Sequence, residues 1–300
     1  MSKNSYRNIL CFGEVLWDML PSGAKPGGAP LNVAIHLIRQ GQKPKLISKT
    51  GKDKLGFDLV QFIAEAGLEQ SLIQADELLP TSQVIIHLDK FKNATYEICE
   101  PVAWDNIQLT RENLEAVEQA DLVIFGSLAL RNKTSRETLL HLLENTKATR
   151  LLDVNLRPPY DYHDVINEML KKADFIKLNN DELIIIAGWH KQKGTETELI
   201  HWISKFFICP AVCVTRGENG AALFLENTLY EHPGFKVKAV DTVGAGDSFL
   251  ASLIANLSKN VSPQMALKYA CATGAFVASQ NGAVPVYTEK EIKKIINKGT

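Results

Sequence analysis

Five short apolar runs, mostly set apart by stretches with helical spacing, constrain this chain more than any other feature. The runs occupy residues 9–12, 122–125, 151–154, 175–178 and 211–214. They are too short for independent helices and rich enough in Val, Ile and Phe to be strands buried on both faces. Between them apolar residues recur with a period near 3.6. Leu31, Ala34, Ile35 and Ile38 stand at i, i+3, i+4 and i+7, and residues 136–143, 164–172 and 197–207 behave alike. Strands alternating with helices predict an α/β fold, a mostly parallel central sheet with helices on both faces. With no internal repeat or low-complexity linker, the 300 residues are expected to form one large domain, 1–300, with an appendage.

Two regions break that rhythm. Residues 83–88 and 95–99 flank a polar turn at 90–93, and Thr95-Tyr96-Glu97-Ile98 alternates, which predicts a half-exposed antiparallel hairpin. Within an α/β sequence such a hairpin is either a lid over a site or an edge decoration. From Gly244 onward three helices are expected, at 244–258, 263–280 and 288–297.

Composition then removes several function classes. Lys and Arg number 33 against 34 Asp and Glu, a net charge of −1, and no basic block appears, so a nucleic-acid partner is set aside. A chain 45% hydrophobic and 22% charged is neither disordered nor membrane-embedded, and no apolar run is long enough to span a bilayer. Residues 1–7 are polar, and the apolar stretch after them is broken by Gly13, Glu14 and Asp18, unlike a signal peptide. The 5 cysteines, odd in number and mostly within apolar runs, read as buried free thiols. All of this fits a cytoplasmic location.

Polar residues recur just beyond the expected carboxyl ends of strands: Asn155 and Arg157 after 151–154, Asn179 and Glu182 after 175–178, Thr215 after 211–214, and Asp247 after a strand expected at 235–240. Ligands of open α/β sheets bind in the crevice outside those ends, so these residues should converge, although any one could be a helix N-cap. The strongest local signal is Asp241-Thr242-Val243-Gly244-Ala245-Gly246-Asp247. Small residues opening a helix aim unpaired N–H groups at a ligand and form an anion site. A carboxylate beside it suits proton abstraction from a hydroxyl that attacks a phosphoryl group, and the helix N-terminus should keep Asp247 ionised. A glycine turn with an acidic cap is the plainer alternative. Gly27-Gly28-Ala29-Pro30-Leu31-Asn32 opens the first helix, and Asp18 and Asn32 could bind a polyol. Neither a G-x-x-x-x-G-K-[ST] nor a G-x-G-x-x-G motif is present, nor a G-x-S-x-G elbow or H-E-x-x-H, so other nucleotide folds, hydrolases and zincins lack support.

The order of these motifs resembles the ribokinase-like (PfkB-type) carbohydrate kinases, and within them the fructokinases. The resemblance runs from about residue 9 to 285 and rests on Gly27 to Asn32, Asp241 to Asp247, Asn179-Asn180-Asp181-Glu182, the Thr215-x-Gly217-x-x-Gly220 turn and Asp153-Val154-Asn155-Leu156-Arg157-Pro158. It implies ATP and Mg²⁺ as cofactors, a sugar as substrate, and a small β-sheet lid drawn from about 14–27 and 83–100. It also implies a homodimer formed through that lid. Asp247 would be the base, and Gly244, Ala245 and Gly246 the anion hole. Asn179 and Glu182 would organise Mg²⁺ and phosphate through water, and Thr215, Gly217 and Gly220 would border the nucleotide. Asp18, Gly28, Asn32 and Arg157 would hold the sugar. A monovalent cation, K⁺, would sit near Asp241 and Val243. Two departures fall on the sugar side: Cys99 stands where fructokinases commonly carry a lid arginine, and Tyr160-Asp161 replaces Leu-Trp after Pro158-Pro159. A non-catalytic sugar-binding protein on the same scaffold would have lost the base or the glycines; neither is lost.

Overall fold

The computed structural model describes residues 6–20, 23–88 and 94–298, with the side chains of 86–88 and 94–96 excepted. The strands are β1 (Ile9–Phe12), β2 (Leu16–Leu20), β3 (Gly23–Gly27), β4 (Lys45–Gly51), β5 (Ile73–Asp76), β6 (Ser82–Leu88) and β7 (Ala94–Ile98). They continue with β8 (Leu122–Gly126), β9 (Thr149–Asp153), β10 (Phe175–Asn179), β11 (Ala211–Thr215), β12 (Ala221–Leu225) and β13 (Thr228–His232). The helices are α1 (Ala29–Arg39), α2 (Lys54–Glu65), α3 (Arg111–Glu118), α4 (Lys133–Glu144) and α5 (His163–Lys172). Then follow α6 (Asn180–Trp189), α7 (Glu196–Phe206), α8 (Ala245–Ser258), α9 (Pro263–Ala278) and α10 (Glu289–Lys298).

The large sheet has the order β13-β12-β11-β10-β9-β8-β1-β4-β5. It is parallel from β11 to β5, and β12 and β13 add antiparallel at one edge. Alternate residues of each buried strand feed two separate cores. Leu10, Phe12, Val123 and Phe125 pack with α3 to α7, whereas Ile9, Cys11, Leu122 and Ile124 pack with α1, α2, α8, α9 and α10. This is the period of 2 expressed on a sheet covered on both faces. The five expected strands of the parallel core are present, and so are the three carboxyl-terminal helices.

One expected strand is absent. Residues 235–240 pair with no strand, and the antiparallel edge is supplied instead by β13 at Thr228–His232. The apolar residues of 235–240 line a cleft rather than a ladder: Phe235, Val237 and Ala239 form one of its walls.

A second sheet, β3-β2-β6-β7, contains the expected hairpin, with β2 and β6 parallel and the outer pairs antiparallel. The expected turn at 90–93 lies outside the described residues. Val84 is buried and Ile98 packs on the core of its own chain. Tyr160 donates its hydroxyl to Ile98 O at 3.3 Å, and Arg131 Nη2 donates to Cys99 O at 2.8 Å, so two core side chains grip the end of β7. The cysteines are free thiols, buried except for the half-buried Cys99. Among the described residues no helix is long and apolar enough to cross a membrane.

Candidate active site

The helix-opening turn is built by steric demand. Gly244 caps α8 with φ 76°, and a Cβ there would lie 2.3 Å from Ala283 O. Only glycine meets both conditions. Ala283 O is held from its other side by His36, whose Nε2 donates at 2.9 Å while Nδ1 accepts from the Tyr287 hydroxyl at 3.0 Å. Burial pushes the His36 imidazole down to about 4, which keeps that neutral tautomer. Asp241 ties the same loop down, accepting from Val243 N and Gly282 N, both at 3.0 Å. Ala245 N–H is engaged by Thr242 O at 3.2 Å. The N–H groups of Gly246 and Asp247 have no acceptor among the described residues, so they, more than Ala245, face a ligand.

Asp247 stands in the first turn of α8 and accepts from Asn32 Nδ2 of α1 at 2.8 Å. Burial pushes its carboxyl up to about 6, and the charge of Asp153 adds to the rise; Lys177, Asn32 and Arg157 oppose it. This carboxyl is therefore not held at an ordinary value, because burial and Asp153 raise it further than Lys177, Asn32 and Arg157 lower it. A group titrating near 6 remains ionised at neutral pH yet is basic enough to accept a proton.

On one side of Asp247 the structure gathers acceptors. Gly28, at φ 112°, brings the start of α1 against the segment after β1, where a Cβ would lie 2.4 Å from Glu14 O. Glu14 is 2% exposed; its Oε1 accepts from Ala29 N at 3.2 Å, and its Oε2 has no partner among the described residues. Burial pushes its carboxyl up to about 7. Asn32 Oδ1 is likewise buried without a partner. Asp18, on β2, lies against Gly27; burial raises its pKa, the Arg157 charge lowers it and the Asp241 charge raises it. Arg157, exposed in the loop after β9, acts electrostatically on Glu14, Asp18 and Asp247 and donates to Leu156 O at 3.0 Å. Lys25, cross-strand from Asp18, has its ammonium beside Gly282.

On the other side is a cleft of about 350 Å³, lined by Asn179, Thr215, Gly217, Gly220, Ala245 and Gly246 with apolar residues of α8 and α9. Asn179 proves to be a helix cap: its Oδ1 accepts from Glu182 N at 2.9 Å, and Glu182 Oε2 accepts from Asn179 N at 2.7 Å. Glu182 Oε1 accepts from Leu156 N at 2.8 Å, which joins α6 to the loop after β9. With one lone pair per oxygen engaged, Glu182 fits a metal approached through water. No group of three or more His, Cys, Asp or Glu among the described residues could hold one directly.

Glu14 and Lys177 carry no motif signal, and Asp153 enters the sequence analysis only within the Asp153–Pro158 resemblance. Glu14 follows the first strand. Lys177 lies inside the run 175–178, and Asp153 ends β9; Lys177 Nζ donates to both Asp153 carboxylate oxygens at 2.9 Å. A lysine in the middle of a strand buried on both faces was the available signal.

The sequence profile described as pfkB family carbohydrate kinase matches residues 22–290. An uncharacterized sugar kinase of Pyrococcus horikoshii is 31% identical over 242 residues, 78% of this chain and 74% of its own. Its crystal structure superposes with a TM-score of 0.82, covering 96% of this chain and 99% of that one. A fructokinase of Klebsiella pneumoniae is 29% identical over 307 residues, 94% of this chain and 97% of its own. A double-mutant fructokinase of Vibrio cholerae, solved with fructose, ADP and potassium ion, is 23% identical and shares the fold with a TM-score of 0.82 over 98% of this chain and 99% of that one.

Proposed function

This chain belongs to the pfkB family of carbohydrate kinases, and we propose that within it the protein transfers the γ-phosphoryl group of ATP to a hydroxyl of a neutral ketohexose, fructose first. The observation that carries this reading is the position of Asp247, at an unpaired N–H turn between an apolar cleft and a cluster of unpaired acceptors. Asp247 takes the proton of the sugar hydroxyl as its oxygen attacks phosphorus. The N–H groups of Gly246 and Asp247, at the turn formed by Gly244, Ala245 and Gly246, receive the negative charge that develops on the phosphoryl oxygens. Thr215, Gly217 and Gly220 border the nucleotide, and Gly28, Asn32, Asp18 and Arg157 hold the sugar. Glu182 and Asn179 would organise the water shell of Mg²⁺ arriving with ATP, and the ion would supply neutralisation of phosphate charge. Asp241 and Val243 mark the proposed K⁺ position, where the cation would stiffen the loop that carries the turn. A coupled assay of ADP release over a panel of sugars tests the reading. Sugar binding without sugar-stimulated ADP release would overturn it in favour of a binding protein.

The base sets the pH dependence. The free protein must carry Asp247 as carboxylate, so kcat/KM rises with pH through about 6 and levels off above it. Glu14, titrating at about 7, and the charges of Asp18, Asp153, Lys177 and Arg157 face the same space. A Glu14→Gln variant should therefore retain the limb near 6. Its disappearance in that variant would assign the limb to Glu14.

Substrate choice follows from the acceptors. Glu14 Oε2, Asn32 Oδ1 and the Asp18 carboxyl suit donating hydroxyls and repel a carboxylate. Cys99 offers no cation, and Arg131, which reaches the Cys99 carbonyl, is neutralised by Asp105. Lacking one charge-assisted contact of roughly 1.5–3 kcal/mol, a sugar acid should fall at least about tenfold below fructose in kcat/KM. A higher kcat/KM for 2-keto-3-deoxygluconate would sink fructose and leave the kinase reading standing.

Among the described residues the edges β3 and β7 of the small sheet are unpaired, and unpaired edges invite a partner strand. We take two such sheets to clasp in a homodimer. Sedimentation with sugar and nucleotide should give a dimer at micromolar concentration; a monomer there would remove the clasp.

A further inference from the structure

The centre of the large sheet contains a buried ion pair that the proposed chemistry has not yet used. Lys177, on β10, is 6% exposed and stands in register with Asp153 of β9, which is 4% exposed. Burying two charges costs several kcal/mol per ion before their attraction is counted, and apolar residues would fill a sheet centre at lower cost. Stability alone is a weak reason for this pair.

Its position supplies another reason. A Cβ on Gly246 would lie 3.4 Å from Lys177 Nζ, so the ammonium sits directly beneath the first turn of α8. That end of a helix is already positive, and a cation is disfavoured there. The protein has aimed two positive sources at one point and balanced them in part with Asp153 and Asp247. Such an arrangement is poised for further negative charge. Both oxygens of the Asp153 carboxylate accept from this group, which holds it as an ammonium. An ammonium has three donors, and Asp153 accepts two of them. The third has no acceptor among the described residues and belongs to a side chain more than nine-tenths buried.

We propose that Lys177, anchored by Asp153, is a catalytic residue that donates its third ammonium proton as a hydrogen bond to an oxygen of the transferring phosphoryl group. The inference rests on the kinase reading above. The sugar oxygen forms the new bond to phosphorus as Asp247 takes its proton. The bond from phosphorus to the β,γ-bridging oxygen breaks, and its electron pair leaves on ADP. Lys177 keeps its proton throughout. It strengthens as a donor when charge builds on the phosphoryl oxygens, alongside the Gly246 and Asp247 N–H groups.

Two variants test this. Lys177→Gln keeps an amide donor for Asp153, and Lys177→Met paired with Asp153→Asn removes both charges together. Losing one such donor should lower kcat by about 10²–10³-fold. The KM for sugar and the Kd for ADP should stay within about threefold, because the contact is made mainly in the transition state. The complex of protein, sugar, ADP and aluminium fluoride, which mimics the flying phosphoryl group, should weaken at least about tenfold. A merely structural lysine would shift ADP and the fluoride complex alike. Active wild-type protein with either variant within threefold in kcat, or with equal losses for ADP and the fluoride complex, overturns the role of Lys177 alone. Wild-type protein without sugar-dependent ADP release overturns the kinase reading and this role with it.

Discussion

Replacing Asp247 by Asn or Ala lowers kcat by a factor of about 10²–10⁴, the usual cost of losing a general base. The KM for ATP changes little, because the cleft proposed for the nucleotide is lined by other residues. The Asn variant stays folded for a reason that can be checked in sign. The native carboxyl titrates at about 6, above its unfolded value of 3.8. Between those values the native state holds more protons than the unfolded chain, so stability falls as pH rises through that window. At pH 7.5 a neutral amide removes this penalty and can still accept from Asn32 Nδ2. The thermal midpoint of Asp247→Asn should equal or exceed that of the wild type. Turnover within about threefold of wild type would remove Asp247 from the mechanism.

The largest stability effect is expected at Asp105. Its carboxylate takes Arg131 Nε at 2.7 Å and Nη2 at 2.8 Å, with the two side chains 3% and 2% exposed. The guanidinium carbon lies 4.2 Å from the Trp104 ring centroid and 4.7 Å from that of Tyr160, and Asp105 Oδ2 also accepts from Val102 N at 3.0 Å. Asp105→Ala leaves a buried cation without its counter-charge and strands the Val102 N–H. The cost should be about 3–5 kcal/mol, a large share of an ordinary stability of about 5–15 kcal/mol. Urea denaturation should show it as a lowered midpoint. Asp105→Leu combined with Arg131→Met should recover most of the loss, since removing both charges leaves neither unpaired. A loss under 1 kcal/mol in Asp105→Ala would mean that the pair is solvated or that Arg131 finds another partner.

Where the pattern failed, a specific packing reason is visible. β4, Lys-Leu-Ile-Ser-Lys-Thr-Gly, does not look like a buried strand, yet its Ser48, Lys49 and Thr50 are all buried. Ser48 Oγ donates to Gly13 O at 2.6 Å, and Lys49 Nζ meets Asp76 at 2.7 Å on neighbouring β5. Partners supplied from the two adjacent strands, β1 and β5, made those polar residues tolerable, and a single segment cannot announce them. The reverse error occurred at 235–240, whose apolar residues serve a cleft wall. Apolar character reports burial, whatever the surface buried against.

The sequence by itself determined the alternation of strand and helix, the two-faced sheet and the anion turn, because each is announced by a residue pattern within a contiguous segment. Gly244 is legible for that reason: its helix, its turn and the carboxylate three residues on are contiguous. What surrounds Asp247 was decided only by tertiary structure. Asn32 reaches it across 215 residues of chain. Lys177 and Asp153 meet because two parallel strands pair in one register, and a slip of one residue would turn each to the opposite core. Glu14 becomes an orphaned acceptor only once α1 folds its Gly28 against it. Periodicity is a property of one segment, whereas the pairing of charges is a property of register and crossover, so the chemistry of the turn was readable while the electrostatics that tune it were not.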